Sequence, residues 1–346
     1  MAHLKKYTLA VIEKVVETDD ACTIKFKQPN LKKIAYLPGQ FISIFLNING
    51  RVYQRPYSIS SVYQIDPTID ITVKVIKDGK VSNYIKNNLE VGQSVEIVGP
   101  LGSFILPESI PEKVVLWAAG SGISPLFAIL KALINKSNTI IILNYSSRNI
   151  DQTILLAGIE KLKNQFPDRL HFNLFTSNNE GPADGTFERY NRLNDQHILA
   201  LNTKNNLSVD TLHYICGPND YNVFVQRCLK ELNFNSDCIK VEDFSQVLDE
   251  KDLVGVFDTN VHISVGEIEH KVMVKKGNSI LAASLDNEIN IDYSCQTGTC
   301  ELCKGHILSG QVNMIVHHKK ETKSKGDSCL LCCSYPLTND ILISVN

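Results

Sequence analysis

Ten cysteines occur in the 346 residues of this chain, and six of them follow residue 290. Cys295, Cys300 and Cys303 are spaced C-x4-C-x2-C. A plant-type [2Fe–2S] cluster is bound at this spacing, because three thiolates on one loop surround the cluster and a distant fourth thiolate completes the ligand set. Gly298 lies inside the loop, where a close backbone approach favours a residue without a side chain. The sequence therefore predicts an iron–sulfur centre.

Zinc is the alternative at these cysteines. Cys300-x2-Cys303 and Cys329-x2-Cys332 also form two CxxC pairs, which is the pattern of a zinc ribbon. A zinc site would leave Cys295 without a role, and it would not account for the redox motifs upstream. Spacing alone favours iron–sulfur but leaves the fourth ligand open between Cys329 and Cys332.

A second group of residues suits a flavin. The tetrapeptide is Arg55-Pro56-Tyr57-Ser58. A guanidinium can bind a phosphate through two hydrogen bonds, a phenol ring can lie against an isoalloxazine, and a hydroxyl can bond its polar edge. Gly79 and Ser82 open a helix predicted at Val81–Asn87, whose free N–H groups suit a pyrophosphate. The alternative is an ordinary strand with an exposed Arg and a cross-strand Tyr.

A third group suits a nicotinamide dinucleotide. Gly120-x-Gly122-x-x-Pro125 follows the apolar strand predicted at Val114–Ala119 and opens a helix, where glycines allow a pyrophosphate close to the backbone. Cys216-Gly217-Pro218 follows another predicted strand, although a buried Cys at a strand end can also serve packing alone.

The choice between NADH and NADPH is open. Arg148, after the second strand of this region, favours NADPH, because an Arg can accommodate a 2′-phosphate. It could equally be a solvated surface charge. The run Thr176-Ser177-Asn178-Asn179 has no Arg, whereas NADPH-linked proteins that this chain resembles often carry Ser-Arg there, and this argues for NADH.

The elements that must position these residues change character along the chain. Up to about Pro107, short alternating strands with Gly and Pro turns predict an antiparallel β-barrel. From Lys113, alternating strands and helices predict an α/β domain with a parallel sheet. After a partly acidic segment, a hairpin at Val261–Val274 and a helix at Ser279–Leu285 precede the cysteine loop. We expect domains at residues 1–108, 109–245 and 258–346, with a linker at 246–257.

Composition excludes several classes of protein. The net charge of −2 and pI of about 6.5 give no basic surface for nucleic acid. The N-terminal residues lack the apolar region of a signal peptide, which predicts a cytoplasmic protein. Val114–Leu130 has no charged residue, but glycines, serines and a proline interrupt it, so we expect a strand, turn and helix and no membrane span.

The residues around the cysteines resemble plant-type ferredoxins. The similar segments are Ser294–Cys303 and Leu331–Pro336. In that family the last ligand precedes a small-small-Tyr-Pro run, so the resemblance selects Cys332 as the fourth ligand. It implies a β-grasp α+β domain and leaves Cys329 and Cys333 as additional thiols.

The upstream motifs, in their order, resemble the ferredoxin–NADP reductase superfamily. They are RxYS at Arg55–Ser58, GxxS at Gly79–Ser82, GPxGxF at Gly99–Phe104, GxGxxP at Gly120–Pro125, CGP at Cys216–Pro218 and the run Val241–Phe244. With the C-terminal cysteines, the chain resembles the reductase components of multicomponent oxygenases, particularly those of the phenylacetyl-CoA epoxidases.

This resemblance implies particular roles for the motif residues. Ser58 and Cys216 would be the catalytic positions, at the reacting edges of flavin and nicotinamide. The implied flavin contacts are Arg55, Pro56, Tyr57, Ser58, Gly79, Val81, Ser82, Phe104 and Phe244. The implied nucleotide contacts are Gly120, Gly122, Pro125, Cys216, Gly217 and Pro218, and Arg148 is a further candidate from the 2′-phosphate argument above. FAD is the expected flavin, although some relatives use FMN.

Together these features predict an NAD(P)H-dependent oxidoreductase that passes electrons through FAD and a [2Fe–2S] cluster to a protein partner, which we expect to be an oxygenase component. A flavin must stand between a two-electron hydride donor and a one-electron cluster. The alternatives are a stand-alone ferredoxin or quinone reductase and a zinc-containing binding module.

Overall fold

The computed structural model describes residues 5–177, 187–244, 246, 248–316 and 319–345. It divides into two compact units, Met1–Glu242 and Asp243–Asn346. Each unit has its own apolar core.

The first unit begins with an antiparallel β-barrel, as predicted. Its elements are β1 (Lys6–Thr18), β2 (Ala21–Lys27), β3 (Phe41–Ile48), β4 (Arg51–Ser58), β5 (Thr68–Lys74), α1 (Lys80–Asn87) and β6 (Ser94–Leu101). The strand order is β4-β3-β6-β1-β2-β5, and a bridge between Ile59 and Ile71 joins the end of β4 to β5. The barrel is filled by β-branched and aromatic side chains such as Ile24 and Phe26.

A parallel six-stranded sheet follows, which confirms the predicted α/β domain. Its elements are β7 (Lys113–Ala119), α2 (Ile123–Lys136), β8 (Ile140–Ser147), α3 (Leu156–Gln165), β9 (Leu170–Thr176), β10 (Glu188–Tyr190), α4 (Asp195–Asn205), β11 (Leu212–Cys216), α5 (Asn219–Glu231) and β12 (Ile239–Glu242). The strand order is β10-β9-β8-β7-β11-β12.

The order of this sheet reverses between β7 and β11, because β8 follows β7 on one side and β11 lies on the other. In open α/β sheets a ligand crevice forms at such a reversal, beyond the carboxyl ends of the strands. The predicted glycine loop follows β7 and the predicted Cys-Gly-Pro motif follows β11. The topology therefore brings two motifs that are distant in sequence to one crevice.

Side chains join the barrel to the parallel sheet within the first unit. The Tyr214 hydroxyl donates a hydrogen bond to the Ile105 carbonyl at 2.7 Å, and the Tyr214 ring packs edge-on against Phe104 with centroids 5.1 Å apart. The Ser124 hydroxyl, at the start of α2, donates to the Thr72 carbonyl in β5 at 3.4 Å. The end of the barrel thus lies against the start of the first helix of the α/β domain.

The second unit contains a mixed five-stranded sheet and a three-stranded sheet. Its elements are β13 (Thr259–Val265), β14 (Ile268–Val274), α6 (Ile280–Asp286), β15 (Lys304–Ser309), β16 (Gln311–Val316), β17 (Lys319–Ser324), β18 (Ser328–Leu330), β19 (Ser334–Pro336) and β20 (Ile341–Val345). The orders are β14-β13-β20-β15-β18 and β17-β16-β19. Helix α6 buries Ile280 and Leu281 in the core of this unit, so the predicted hairpin and helix are both confirmed.

The described residues of the segment predicted as a linker, 246 and 248–257, belong to the second unit. It contains a short 3-10 helix at Glu250–Leu253, and Val256 is buried with Ile315 and Tyr335. The apolar residues of this segment stand singly among charged ones in the sequence. The sequence therefore did not show that Val256 would pack against Ile315 and Tyr335.

The uncharged segment Val114–Leu130 forms β7, the glycine turn and the first half of α2, as expected. Within the described ranges of the chain, no helix is long and apolar enough to cross a membrane.

Candidate functional site

The glycine loop between β7 and α2 is fixed by contacts that depend on its glycines. Gly120 has a φ of +53°, in the left-handed region, and its carbonyl accepts a hydrogen bond from the Tyr145 hydroxyl at 3.1 Å. A Cβ atom on Gly122 would lie 2.0 Å from the Cys216 carbonyl oxygen. The loop therefore packs directly on the backbone at the end of β11.

The start of α2 has the character of an anion site. The first N–H groups of a helix have no partner within the helix, and the helix dipole favours a negative charge there. Pro125, the third residue of α2, is buried and fixes the backbone without needing an N–H partner. Lys74, at the end of β5, has its ammonium 3.9 Å from the Cβ position of Gly120 and 3.6 Å from Asp20. No local pattern in the sequence indicated this lysine, because its position depends on how the barrel packs.

The Cys216-Gly217-Pro218 segment lies on the other side of the crevice. A Cβ atom on Gly217 would lie 2.8 Å from the Tyr221 ring and 2.9 Å from the Ala119 Cβ, so glycine is required there too. Pro218 precedes α5 as its N-cap. Cys216 is fully buried within the core of the α/β domain. The structure thus brings Cys216 to the predicted crevice but covers its side chain with protein.

The Arg-Pro-Tyr-Ser residues form the end of β4. Arg55 and Tyr57 are two residues apart on one strand, so their side chains project from the same face. Arg55 is exposed and its guanidinium donates to the Gln54 carbonyl at 2.7 Å. Tyr57 is half-buried, and this burial raises the pKa of its phenol, while the positive charge of Arg55 opposes the change. Pro56 and Ser58 are half-buried as well.

The Gly79-x-x-Ser82 residues shape the start of α1. The Ser82 hydroxyl accepts a hydrogen bond from the Ile76 N–H at 3.1 Å and contacts the Gly79 carbonyl at 3.4 Å. A Cβ atom on Gly79 would be 2.8 Å from this hydroxyl. Val81 is buried in the barrel core. The side chains of Val81 and Ser82 are therefore both engaged with neighbouring protein atoms.

A cavity of about 560 Å³ lies beside α1 and the turn between β3 and β4. Tyr53 lines it, with the Arg51 guanidinium 5.5 Å and the Lys80 ammonium 5.7 Å from the centre of the Tyr53 ring. Tyr53 lies two residues before Arg55 on β4, so it continues the same face of the strand. This cavity was not foreseen from the sequence, although the alternation Tyr53, Arg55, Tyr57 was a usable signal.

The flavin and nucleotide motifs lie near each other within the first unit. Ile59, next to Ser58, bridges to Ile71. The following residue, Thr72, has the carbonyl that accepts the Ser124 hydroxyl at the start of α2. The end of the Arg-Pro-Tyr-Ser segment and the glycine loop are therefore linked through a short stretch of β5.

Three further predicted contacts differ in burial and position. The Phe104 side chain is buried with Tyr214 in the core of the α/β domain. Arg148 is exposed just after β8. Phe244 is 45% exposed and belongs to the second unit. Asn178 and Asn179, which bear on the choice of nucleotide, lie outside the described residues.

The four predicted cluster ligands converge in the second unit. The Cys295 sulfur accepts hydrogen bonds from the Thr297 and Cys300 N–H groups, both at 3.4 Å. The Cys303 sulfur accepts one from the Cys332 N–H at 3.5 Å. Hydrogen bonds from Cys300 and Cys332 lower the pKa of Cys295, and the Cys332 thiol lowers the pKa of Cys303. The distant Cys332 is thus in contact with the cysteine loop.

The other two thiols of this region differ in position. Cys329 is buried in β18, and burial raises the pKa of its thiol to about 11. The Cys333 sulfur lies 3.4 Å from the Cys332 sulfur. In the described part of the chain, no group of three or more His, Cys, Asp or Glu side chains is arranged so that it could bind a single metal ion. A two-iron cluster does not need that arrangement, because its four thiolates are shared between two irons.

Comparison with known families gives three matches. The family described as an oxidoreductase FAD-binding domain matches residues 8–105, and the oxidoreductase NAD-binding domain matches residues 116–227. The 2Fe-2S iron-sulfur cluster binding domain matches residues 263–337. The matches follow the order barrel, parallel sheet and cysteine-containing unit, and the third favours iron–sulfur over zinc.

Individual proteins are similar over almost the whole chain. The 1,2-phenylacetyl-CoA epoxidase of Escherichia coli includes a component that is 27% identical over 97% of this chain and 97% of its own length. The ferredoxin reductase component of 3-ketosteroid-9-alpha-monooxygenase from Mycolicibacterium smegmatis is 26% identical over 96% of this chain and 94% of its own length. The structure of phthalate dioxygenase reductase has a TM-score of 0.67 and 18% identity, covering 99% of this chain and 98% of that one, which shows a shared fold.

Proposed function

Since the chain is an iron–sulfur flavoprotein oxidoreductase of the oxygenase-reductase type, we propose that it takes electrons from NADH or NADPH and delivers them to a protein acceptor. When bound, FAD takes up the electron pair of a hydride and the [2Fe–2S] cluster carries electrons singly. The acceptor in this proposal is an oxygenase component, since the similar proteins are named as parts of monooxygenases and an epoxidase.

One observation carries the proposal for the first unit. The link from Ser58 through Ile59 and Ile71 to Thr72, and then to Ser124, holds the end of β4 beside the start of α2. A flavin edge at Ser58 and a nicotinamide held by the glycine loop would therefore face one space. Hydride transfer requires this proximity, because the reacting atoms must approach to about 3–3.5 Å.

In this proposal, β4 and the turn before α1 each supply part of the FAD site. Arg55 binds a phosphate, the Tyr57 ring covers the isoalloxazine, Pro56 fixes the strand between them, and the Ser58 hydroxyl donates to the reacting edge. The turn from Gly79 adds backbone N–H groups for the pyrophosphate.

The cavity beside α1 favours FAD over FMN, since FMN has no adenosine to fill it. Its volume of about 560 Å³ is in the range of small-molecule sites. The Tyr53 ring can stack with an adenine, and the cations of Arg51 and Lys80 can meet phosphate oxygens. Replacing Tyr53 with Ala should release FAD while leaving FMN binding nearly unchanged, which equilibrium dialysis with each flavin would measure.

The crevice of the parallel sheet binds the nucleotide in this proposal. Gly120 and Gly122 bring the backbone to the pyrophosphate, and Pro125 fixes the first turn of α2. Cys216, Gly217 and Pro218 form the opposing wall. The buried Cys216 thiol supports the wall and meets the nicotinamide only if its protein cover shifts.

Three further residues keep proposed roles. Arg148 is exposed after β8 and could reach a 2′-phosphate, which keeps NADPH as a candidate beside NADH. Phe104 stays a predicted contact of the flavin, and its ring packs against Tyr214. Phe244 stays a predicted contact of the flavin.

Cys295, Cys300, Cys303 and Cys332 are the proposed ligands of the cluster. Their mutual contacts support this choice, and the backbone N–H groups of Thr297 and Cys300 would stabilise the bound thiolate of Cys295. The proposed domains are residues 1–108, 109–245 and 258–346, and residues 246–257 join the last two in sequence. The cytoplasm is the proposed location, because reduced thiols persist there.

The experiment on the ligands compares the visible and EPR spectra of purified variants. Cys332→Ser is expected to abolish the cluster, whereas Cys329→Ser should retain it. Because the Cys333 sulfur is only 3.4 Å from that of Cys332, the double variant Cys332→Ser/Cys333→Ala prevents the neighbour from replacing the lost ligand. A normal cluster in this double variant would refute the assignment of Cys332.

The experiment on the acceptor distinguishes the proposed function from a stand-alone reductase. Purified protein is assayed for NADH and NADPH oxidation with candidate oxygenase components, with a free ferredoxin and with a quinone. Stimulation by an oxygenase component alone supports the proposal. Equal or greater rates with the quinone or the free ferredoxin would favour the alternative.

A further inference from the structure

We propose that Cys333 tunes the reduction potential of the cluster by donating an S–H···S hydrogen bond to Cys332. The inference rests on the proposed function, in which Cys332 is a cluster ligand. Cys333 itself is a positioning residue, because it acts through that ligand and is not proposed to bind iron.

Two distances locate the Cys333 thiol, one to an existing atom and one to a Cβ position built on a glycine. Its sulfur lies 3.4 Å from the sulfur of Cys332. A Cβ atom on Gly298 would lie 3.1 Å from the same Cys333 sulfur. Gly298 belongs to the loop that carries the other three ligands. The Cys333 thiol therefore lies between its neighbouring ligand and the ligand loop.

The direction of the hydrogen bond follows from the chemistry of the ligand. Either sulfur could donate when both are thiols. A cysteine bound to iron is a thiolate, which has no proton to donate. The proton must then be on Cys333, and a hydrogen bond to a charged acceptor is stronger than one between neutral groups.

The surroundings of Cys333 keep this donor available. The side chain is fully buried, so water does not compete for the thiol or for the Cys332 sulfur. Gly298 has a φ of +88°, and a Cβ atom added to it would lie 3.0 Å from Val316 and 3.1 Å from the Cys333 sulfur. A larger residue at position 298 would therefore push against the thiol.

The sign of the effect on potential follows from the charge of the cluster. Reduction adds one negative charge, part of which resides on the ligand sulfurs. A donor aimed at one of these sulfurs stabilises the reduced form more than the oxidised form, and so raises the reduction potential. Removing the donor should lower the potential.

The test is a redox titration of the full-length protein with its FAD and cluster bound, followed by the EPR signal of the reduced cluster. Cys333→Ala is expected to reduce the equilibrium constant for cluster reduction by about tenfold, which for one electron is a shift of about 59 mV to lower potential. Cys333→Ser retains a donor, and hydroxyls donate more strongly than thiols. Its potential should equal or exceed that of the unchanged protein.

Cys329→Ala is the matched control, since it removes another buried thiol of the same unit, one that hydrogen-bonds Ser334 and is linked to the proposed ligand Cys303 only by a charge interaction. Its potential should change less than that of Cys333→Ala. An unchanged potential in Cys333→Ala, or a decrease in Cys333→Ser, would overturn the proposal. If Cys333→Ala fails to assemble a cluster, the sign of the shift in Cys333→Ser decides.

The failure of this proposal can be distinguished from a failure of the proposed function. If the Cys332→Ser/Cys333→Ala variant keeps a normal cluster, the ligand assignment is wrong and the tuning proposal falls with it. If that variant loses the cluster while Cys333→Ala has an unchanged potential, the ligand assignment stands and only the tuning role is wrong.

Discussion

Replacing Gly122 with Ala tests the contact between the glycine loop and the end of β11. A Cβ atom at this position would lie 2.0 Å from the Cys216 carbonyl oxygen, whereas real Cβ contacts are essentially never shorter than 3.0 Å. The two segments must therefore separate by about 1 Å. The neighbours at this point are backbone atoms, so a side-chain rotation cannot relieve the clash.

The expected consequence is a loss of hydride transfer without a loss of cofactors. A displacement of about 1 Å in an aligned site costs on the order of 10²-fold in rate, which corresponds to about 2.7 kcal/mol of transition-state stabilisation. We expect kcat/KM for NADH and NADPH to fall by about that factor in Gly122→Ala. The FAD content and the cluster spectrum should stay at the level of the unchanged protein.

The assay is stopped-flow reduction of the bound flavin by NADH and by NADPH under anaerobic conditions. Gly92→Ala is the matched control, because Gly92 has a φ of +94° but, among the described residues, no atom within 4 Å of its Cβ position. That control carries left-handed backbone strain of about 1–2 kcal/mol, which Gly122→Ala does not because Gly122 has a φ of −61°, and it carries no clash. The proposed role of this loop would be refuted if Gly122→Ala reduced its flavin within about threefold of the rate of the unchanged protein. A misaligned site should lose far more than that.

Three further predictions concern single side chains. Arg55→Ala should weaken FAD binding by about 10- to 100-fold, measured by dialysis, because a bidentate phosphate contact is lost; tight binding in this variant would exclude the guanidinium as an anchor. Arg148→Ala should raise KM about tenfold for NADPH and not for NADH if Arg148 meets the 2′-phosphate, and equal changes would contradict that role. Burial lowers the pKa of His213 from 6.5 to about 3, so the unfolded chain binds a proton that the folded chain does not. Between pH 6.5 and about pH 3, the free energy of unfolding should therefore decrease by about 1.4 kcal/mol for each unit by which the pH falls. In His213→Asn the amide can still accept the hydrogen bond from the Trp117 indole N–H, but this titration is absent. The free energy of unfolding, measured in urea by Trp117 fluorescence, should therefore depend less steeply on pH. An unchanged dependence would contradict the role of His213.

The sequence predicted well where function depends on contiguous residues. The strand, glycine turn and helix around Gly120–Pro125 follow from an apolar run and a local backbone requirement, and the structure has them there. The convergence of Cys332 with the cysteine loop came from the resemblance to ferredoxins, since spacing alone left Cys329 equally possible.

The sequence does not show packing between distant segments. Val81 is a predicted flavin contact, and its side chain fills the barrel core. Phe104 is another predicted flavin contact, and its ring packs in the core of the α/β domain. Val256, in the segment expected to be a linker, is buried with Ile315 and Tyr335. In each case the neighbour lies far along the chain, so no local pattern records the contact.

The burial of the cysteines has a consequence for the lifetime of the protein in air. Eight of the ten are buried, whereas Cys238 and Cys300 are partly exposed. Thiol oxidation to sulfenic and sulfinic acids requires access by the oxidant. Peroxide released near the protein would therefore reach Cys300 before the other proposed ligands. Oxidative inactivation should begin at the edge of the cysteine loop, and mass spectrometry of aged enzyme should find the first modified ligand there.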